Sequence, residues 1–392
     1  MDSYATTGAG SARYRALSSA WWNSYFGKMR PTVHFMGQRE RVILSRRSFR
    51  NRGRTESPRC PFAHRKRAAH CGRSHAHARG ALALAAAALA CALALPACSS
   101  TGAGGSAGAA SDEGTTQGAA WQQPAQTALS SFDANAATGQ NGAAIDVSHA
   151  NDGYVAASAT ADSRLKLVVE CNGQSYNYDL AQDGTPLVAP VNMGNGTYTV
   201  RVMCNTNADR YVELCRTTVD VALTSEFAPF LVPDCFCSYT DSSACVAKAR
   251  DICAGAQNEG DVVRAVFDYI TQNVTYDYDK AAQLSGTTGY APNPDATLQS
   301  GTGICFDYAS LGAAMLRSQG IPAKIVTGYV SPSNVYHAWI MVYIDGSWKS
   351  ARISVDQNTW SRVDLTFAAT QGDDRAAGYV GDGSTYTDRY TY

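Results

Sequence analysis

Histidine is the scarce residue in this chain of 392. Five of the seven, at positions 34, 64, 70, 75 and 77, precede residue 98. Only His149 and His337 follow, and residues 233–392 hold His337 alone. A histidine-built metal centre is thereby excluded from that C-terminal stretch for want of ligands. The twelve cysteines include no C-x-x-C pair. That weighs against zinc even where Cys235, Cys237, Cys245 and Cys253 fall close together. No phosphate-binding glycine loop, calcium loop or nucleotide motif occurs, so no soluble cofactor is expected.

A net charge of zero conceals an imbalance. Residues 1–97 hold 17 Lys and Arg against 3 Asp and Glu, whereas residues 98–392 hold 16 against 30, nets of +14 and −14. The basic part lacks periodicity, which argues against a nucleic-acid partner, and it runs into ALALAAAALACALALPAC. A basic region, a short apolar run and a small-residue site describe a secretory signal. Leu95-Pro96-Ala97-Cys98 resembles the lipobox of bacterial lipoproteins, in which the cysteine is lipidated and becomes the new N-terminus. That resemblance makes Cys98 a lipidation site and residues 1–97 a leader absent from the mature protein. It also places the protein on the outer face of the cell membrane. A single membrane helix with a cytoplasmic tail is the competing reading, though 81–97 is short for a span. The roughly 80 residues ahead of the apolar run suit neither pattern and imply a translation start placed too far upstream.

Beyond Cys98 the chain is Ser, Gly, Ala and Thr with little apolar bulk, which reads as a flexible tether over 98–145. From residue 146 the pattern alternates. Leu165, Leu167, Val169 and Cys171 form one such run; Tyr198, Val200, Val202 and Cys204 form another. Turn signals at Asp183-Gly184 and Gly194-Asn195-Gly196 separate them, as in a small antiparallel β-sandwich over 146–232 with a binding or spacer role.

Residues 233–392 follow a different rule. Ser242 to Ala256 and Val262 to Asn273 have helical spacing, with Asp261 the expected N-cap of the second. Tyr276, Tyr278 and Tyr290 stand on a loop-rich approach, as cleft aromatics or as ordinary half-buried tyrosines. In GTGICFDYASLGAAMLRSQGIPAKIVTGYV, residues 301–330, a glycine-bracketed turn delivers Cys305 onto the first turn of a helix. Gly320 and Pro322 stop that helix, and Ala323 to Val330 reads as a strand. A cysteine at a helix N-terminus sits at the positive end of the dipole, which favours the nucleophilic thiolate. His337, in VYHAWIMVYI, supplies a base, and Asp364, in TWSRVDLTF, a group to orient it.

The segments GICFDYASL, YHAWI and WSRVDLTF resemble the transglutaminase-like superfamily of papain-like cysteine enzymes, over about residues 233–392. In that family a cysteine opens a helix, a histidine follows in an HAW-type motif, and an aspartate in a W-x-x-x-D-P-T-type motif closes the triad. The resemblance therefore implies Cys305, His337 and Asp364 as catalytic residues. Leu365 stands where the family usually has proline. A second register, DGSWKSARISVD, puts Arg352 four residues after Trp348, and a guanidinium cannot orient an imidazole. Four residues after Trp360 comes Asp364, the register adopted.

The expected class is α+β: a C-terminal transglutaminase-like (papain-like) domain behind a small antiparallel β-sandwich and a disordered, signal-bearing N-terminus. The expected activity is attack on an amide of a protein or peptide substrate through a thioester. Water then completes a hydrolysis, the favoured outcome on a wetted cell surface, or a lysine amine completes a crosslink. A non-catalytic adhesion module on the same fold is the alternative from another class. Without Cys305 and the leader, seven cysteines remain after Cys98. In an oxidising exterior some should pair, Cys171 with Cys204 or within the 235–253 group, unless they pack as thiols.

Overall fold

A computed structural model describes residues 114–285, 287–332, 334–350, 353–373, 375 and 385–392. The expected leader, Cys98 and the tether up to residue 113 lie outside the described residues.

Residues 114–145, expected to continue the tether, are instead built into the folded unit. β1 (Thr115–Gly118) pairs antiparallel with β14 (Gly346–Lys349). Thr116 donates a hydrogen bond to Asp261 at 2.7 Å, and Trp121 packs against the helical core. A polar segment can dock in this way because the ladder satisfies its backbone and one aromatic anchors it.

Two four-stranded antiparallel sheets follow. The first runs β2 (Thr138–Gln140), β3 (Ala143–Asp146), β4 (Tyr154–Ala159), β7 (Leu187–Pro190). The second runs β6 (Gln174–Leu180), β5 (Leu165–Cys171), β8 (Gly196–Asn207), β9 (Arg210–Val221). Ile145, Val155 and Ala157 from one, and Leu165, Leu167, Val169, Val200 and Val202 from the other, share one buried cluster. Alternate residues supply it because successive strand side chains face opposite ways.

Register decides the cysteines. Leu165 sits opposite Cys204, so Cys171 and Cys204 lie at opposite ends of β5. At the usual rise that is about 20 Å, whereas a disulfide needs Cα atoms within about 7 Å. All eight described cysteines are free thiols. Cys237, Cys245 and Cys253 pack as small hydrophobes in the helical core, where burial pushes the Cys237 and Cys253 thiols up to about 12.

The remainder packs helices against an antiparallel sheet. α1 (Ala244–Cys253) and α2 (Glu259–Asn273) precede β10 (Thr275–Tyr276), which pairs parallel with β11 (Thr302–Gly303). Asn258, not Asp261, caps α2, accepting the Asp261 N–H at 3.1 Å. The Asp261 carboxylate is occupied by Thr116 and the Gln257 N–H instead. Where loops were expected, α3 (Tyr278–Leu284) and α4 (Pro294–Ser300) form, capped by the side chains of Asp277 and Asn293. α5 (Cys305–Ser318) leads to β12 (Ala323–Val330) and β13 (Val335–Val342). β15 (Ser354–Val355) pairs with β14; β16 (Ser361–Val363), α6 (Leu365–Thr370) and β17 (Tyr386–Thr391) close the chain. The sheet order is β16-β13-β12-β17, all antiparallel, and Leu311 and Met315 of α5 share a core with Ala338 and Ile340 of β13. No helix among the described residues is long and apolar enough to cross a membrane.

Candidate active site

α5 begins at Cys305 because Ile304 is extended and Asp307, in the first turn, reaches back to accept the Ile304 N–H at 2.8 Å. Gly303 leaves room for that carboxylate: a Cβ there would lie 2.7 Å from the Asp307 Cβ. The first intrahelical bond runs from Tyr308 N to Ile304 O. The N–H groups of Cys305, Phe306 and Asp307 therefore precede the ladder, at the positive end of the helix. The Cys305 side chain is half-buried at the rim of a cavity of about 190 Å³.

His337 lies in β13 opposite Gly328 of β12 and is fully buried. Its Nε2 is 2.8 Å from Asp364 Oδ2, so in the neutral ring the proton sits on Nε2 and Nδ1 carries the lone pair. Nδ1 is buried and makes no hydrogen bond of ordinary geometry, yet Cys305 interacts with the ring closely enough to favour its charged form. Thiol and imidazole thus stand as a loose pair, of the kind that tightens when substrate is bound. Burial opposes charge on His337, but Asp364 and then Cys305 outweigh it, and the ring is pushed up to about 10.

Asp364 caps α6. Its Oδ1 accepts the Phe367 N–H at 2.8 Å, and its Oδ2 accepts the Tyr386 hydroxyl at 2.8 Å besides His337. Burial opposes its charge, but His337, the Phe367 N–H and Tyr386 together hold the carboxyl below its ordinary value. Leu365 is the first helical residue, where proline's fixed φ would be accommodated and is not required. Leucine there packs against Gly312 of α5, where a Cβ would run into the Leu365 side chain. Trp360, four residues before Asp364, meets Phe230 edge-on and carries the Lys324 ammonium over its ring, away from the cleft, and Arg352 lies outside the described residues.

The structure thus brings Cys305, His337 and Asp364 together. Tyr276 and Tyr290 line the cavity with Cys305, whereas Tyr278 turns away to bond Asp373 at 2.8 Å. A larger cavity, about 560 Å³, lies between β6 and β17 and contains none of the three. Two residues of the site carried little sequence signal. Asp307 is recognisable only as an acid at the third position of α5. Tyr386 arrives from a strand 22 residues beyond Asp364.

Phenylalanine at Tyr386 is expected to lower kcat/KM by about tenfold with KM little changed, the worth of one hydrogen bond to a charged group. The groups facing Asp364 are His337 from β13, the Phe367 N–H from α6 and Tyr386 from β17. Arg362 of β16 stacks on the Tyr386 ring at 3.7 Å. Because Tyr386 stabilises ionised Asp364, its loss moves the acid limb of the pH–rate profile upward. An unmoved limb would reduce Tyr386 to packing.

Residues 246–365 match the family model described as Transglutaminase-like superfamily. An uncharacterized protein of Mycobacterium leprae is 34% identical over 79 residues, 18% of this chain, which spans 28% of that relative. A Cytophaga hutchinsonii structure named as a candidate cysteine protease aligns at 19% identity and a TM-score of 0.28, covering 60% of this chain and 80% of that one. Red sea bream transglutaminase aligns at 11% and 0.22, covering 54% and 48%. The family match supports a cysteine enzyme in the general sense. Residues 246–365 are a transglutaminase-like domain, and Cys305, His337 and Asp364 all fall inside it.

Proposed function

We propose that this protein is a cysteine enzyme that breaks amide bonds in a protein or peptide through a thioester on Cys305. One observation supports it above others: a half-buried thiol at a helix start, an imidazole and a buried carboxylate meet beside one cavity. His337 takes the thiol proton at Nδ1, and Asp364 holds the ring by Nε2–H. The sulfur attacks the carbonyl carbon, and the oxyanion is met by N–H groups at the start of α5. The C–N bond then breaks as His337 returns the proton to the leaving amine. Water, losing its proton to His337, attacks the thioester and frees the acid and the thiol. The paired antiparallel sheets act in this reading as a sandwich-type module that presents or spaces the catalytic part.

Incubation with dimethylcasein and a primary-amine probe tests the reaction class. Amine or ammonia release without probe incorporation supports hydrolysis; incorporation means acyl transfer. Neither product, with Cys305 intact, means a binding module on this fold.

The proposal extends to location, through lipidation of Cys98. In the native host the wild-type protein is expected to partition into the detergent phase of a Triton X-114 extract, and Cys98→Ser into the aqueous phase. Equal partitioning of the two would remove the anchor.

A further inference from the structure

The cavity beside Cys305 has walls of one chemical kind. Among the described residues lining it there is no Asp, Glu, Lys or Arg; the only basic group is His337 itself. Ala281, Leu284 and Val335 contribute hydrocarbon. Tyr290 and Tyr336 contribute rings whose hydroxyls are already taken, Tyr290 donating to Asp307 and Tyr336 to Thr327 at 2.9 Å. A neighbouring ammonium, Lys280, is held by the buried Asp307 carboxylate at 2.7 Å and lies 5.0 Å from the Tyr290 ring. Asp307 thus neutralises that ammonium and ties both α3 and Tyr290 to the start of the nucleophile helix. The Arg389 guanidinium, 6.0 Å from the Tyr336 ring, is outside the cavity lining and donates to Tyr329 at 3.1 Å. A volume of about 190 Å³ falls short of the roughly 300–1,000 Å³ of sites for whole small molecules. It has room for one bulky side chain.

We infer that this cavity is a side-chain subsite selecting substrates in which an uncharged, bulky apolar residue flanks the reacting amide. The inference rests on the cysteine-enzyme reading and adds the substrate class. A charged side chain entering the cavity loses its hydration and finds no free counter-charge there. An aromatic or branched aliphatic one loses only water contacts.

The test measures binding apart from chemistry. Fluorescent five-residue peptide amides, with Gln at the centre and Phe, Leu, Gly, Asp or Lys on either side, are titrated against the full chain carrying Cys305→Ala. Phe and Leu peptides are expected to bind about tenfold tighter than the Gly peptide, with Asp and Lys no tighter than Gly. Leu284→Asp, added to the same protein, should invert the order of Phe and Lys. Equal binding of all five, or tighter binding of Asp or Lys to the starting protein, overturns the subsite. A cooperative urea unfolding transition of the Leu284→Asp protein, matching that of the starting protein, should show that the inversion is not a folding defect. Lack of preferential iodoacetamide labelling of Cys305 in the wild-type protein would sink the enzyme reading, whatever the peptides do.

Discussion

Alanine at His337 is expected to slow turnover of a peptide amide by about 10²- to 10⁴-fold, the usual worth of a positioned acid–base group. In the proposed mechanism the imidazole serves twice, taking the Cys305 proton and returning it to the leaving amine, so its loss should fall mainly on kcat. Its pH dependence has a definite sign. The ring is raised from 6.5 to about 10, chiefly by Asp364 against the cost of burial. The imidazolium that protonates the leaving group therefore persists through neutrality, and kcat should decline as pH rises through about 10. Asn at Asp364 should bring that decline to lower pH, because the carboxylate that raises the ring is gone. A His337→Ala enzyme with unchanged kcat would assign the proton transfers to another group.

Leucine at Arg317 is expected to cost about 3–5 kcal/mol of stability, because it leaves one member of a buried ion pair unmatched. Arg317, at the end of α5, is 1% exposed, and Asp234, in the segment leading out of the paired sheets, 3%. Their atoms meet at 2.8 Å. The same guanidinium donates to Ala323 O at 2.8 Å, Val232 O at 2.8 Å and Tyr392 O at 3.1 Å. It thus fastens α5, β12, the segment at Val232 to Asp234 and Tyr392 at one point. Urea unfolding measures the loss. The double change Arg317→Leu with Asp234→Leu should recover part of it, since two apolar groups carry no orphan charge. A single-variant loss under about 1 kcal/mol would mean that water reaches the pair.

The three candidate site residues were legible because each lies in a short local motif. Cys305 follows a glycine turn at a helix start, His337 is the lone histidine after residue 232, and Asp364 stands four residues from Trp360. The strands β5, β8 and β12 were legible from alternation or an apolar run bounded by glycine and proline. Less was readable where pairing is long-range. The stretch 114–145 has tether-like composition, yet β1 finds its partner far along the chain, Thr115 against Lys349 being 349 − 115 = 234 residues apart. Tyr386 reaches Asp364 only through the β12–β17 ladder, which no nearby residue announces. The α2 cap was misplaced because Asp261 and Asn258 are both good capping residues, and the Thr116 hydroxyl and the Gln257 backbone N–H, which take up the Asp261 carboxylate, decide between them. Cys171 and Cys204 end similar alternating runs, and only the antiparallel register separates them.

The most direct test is a competition among the described thiols. Native protein at about neutral pH is exposed to limiting iodoacetamide, and labelled peptides are read by mass spectrometry over time. Cys305 should be alkylated well ahead of Cys204 and Cys235, the other partly exposed thiols, and its advantage should vanish in His337→Ala. Alkylation of Cys305 no faster than Cys204, or unaffected by the loss of His337, would contradict the existence of a working thiol–imidazole pair.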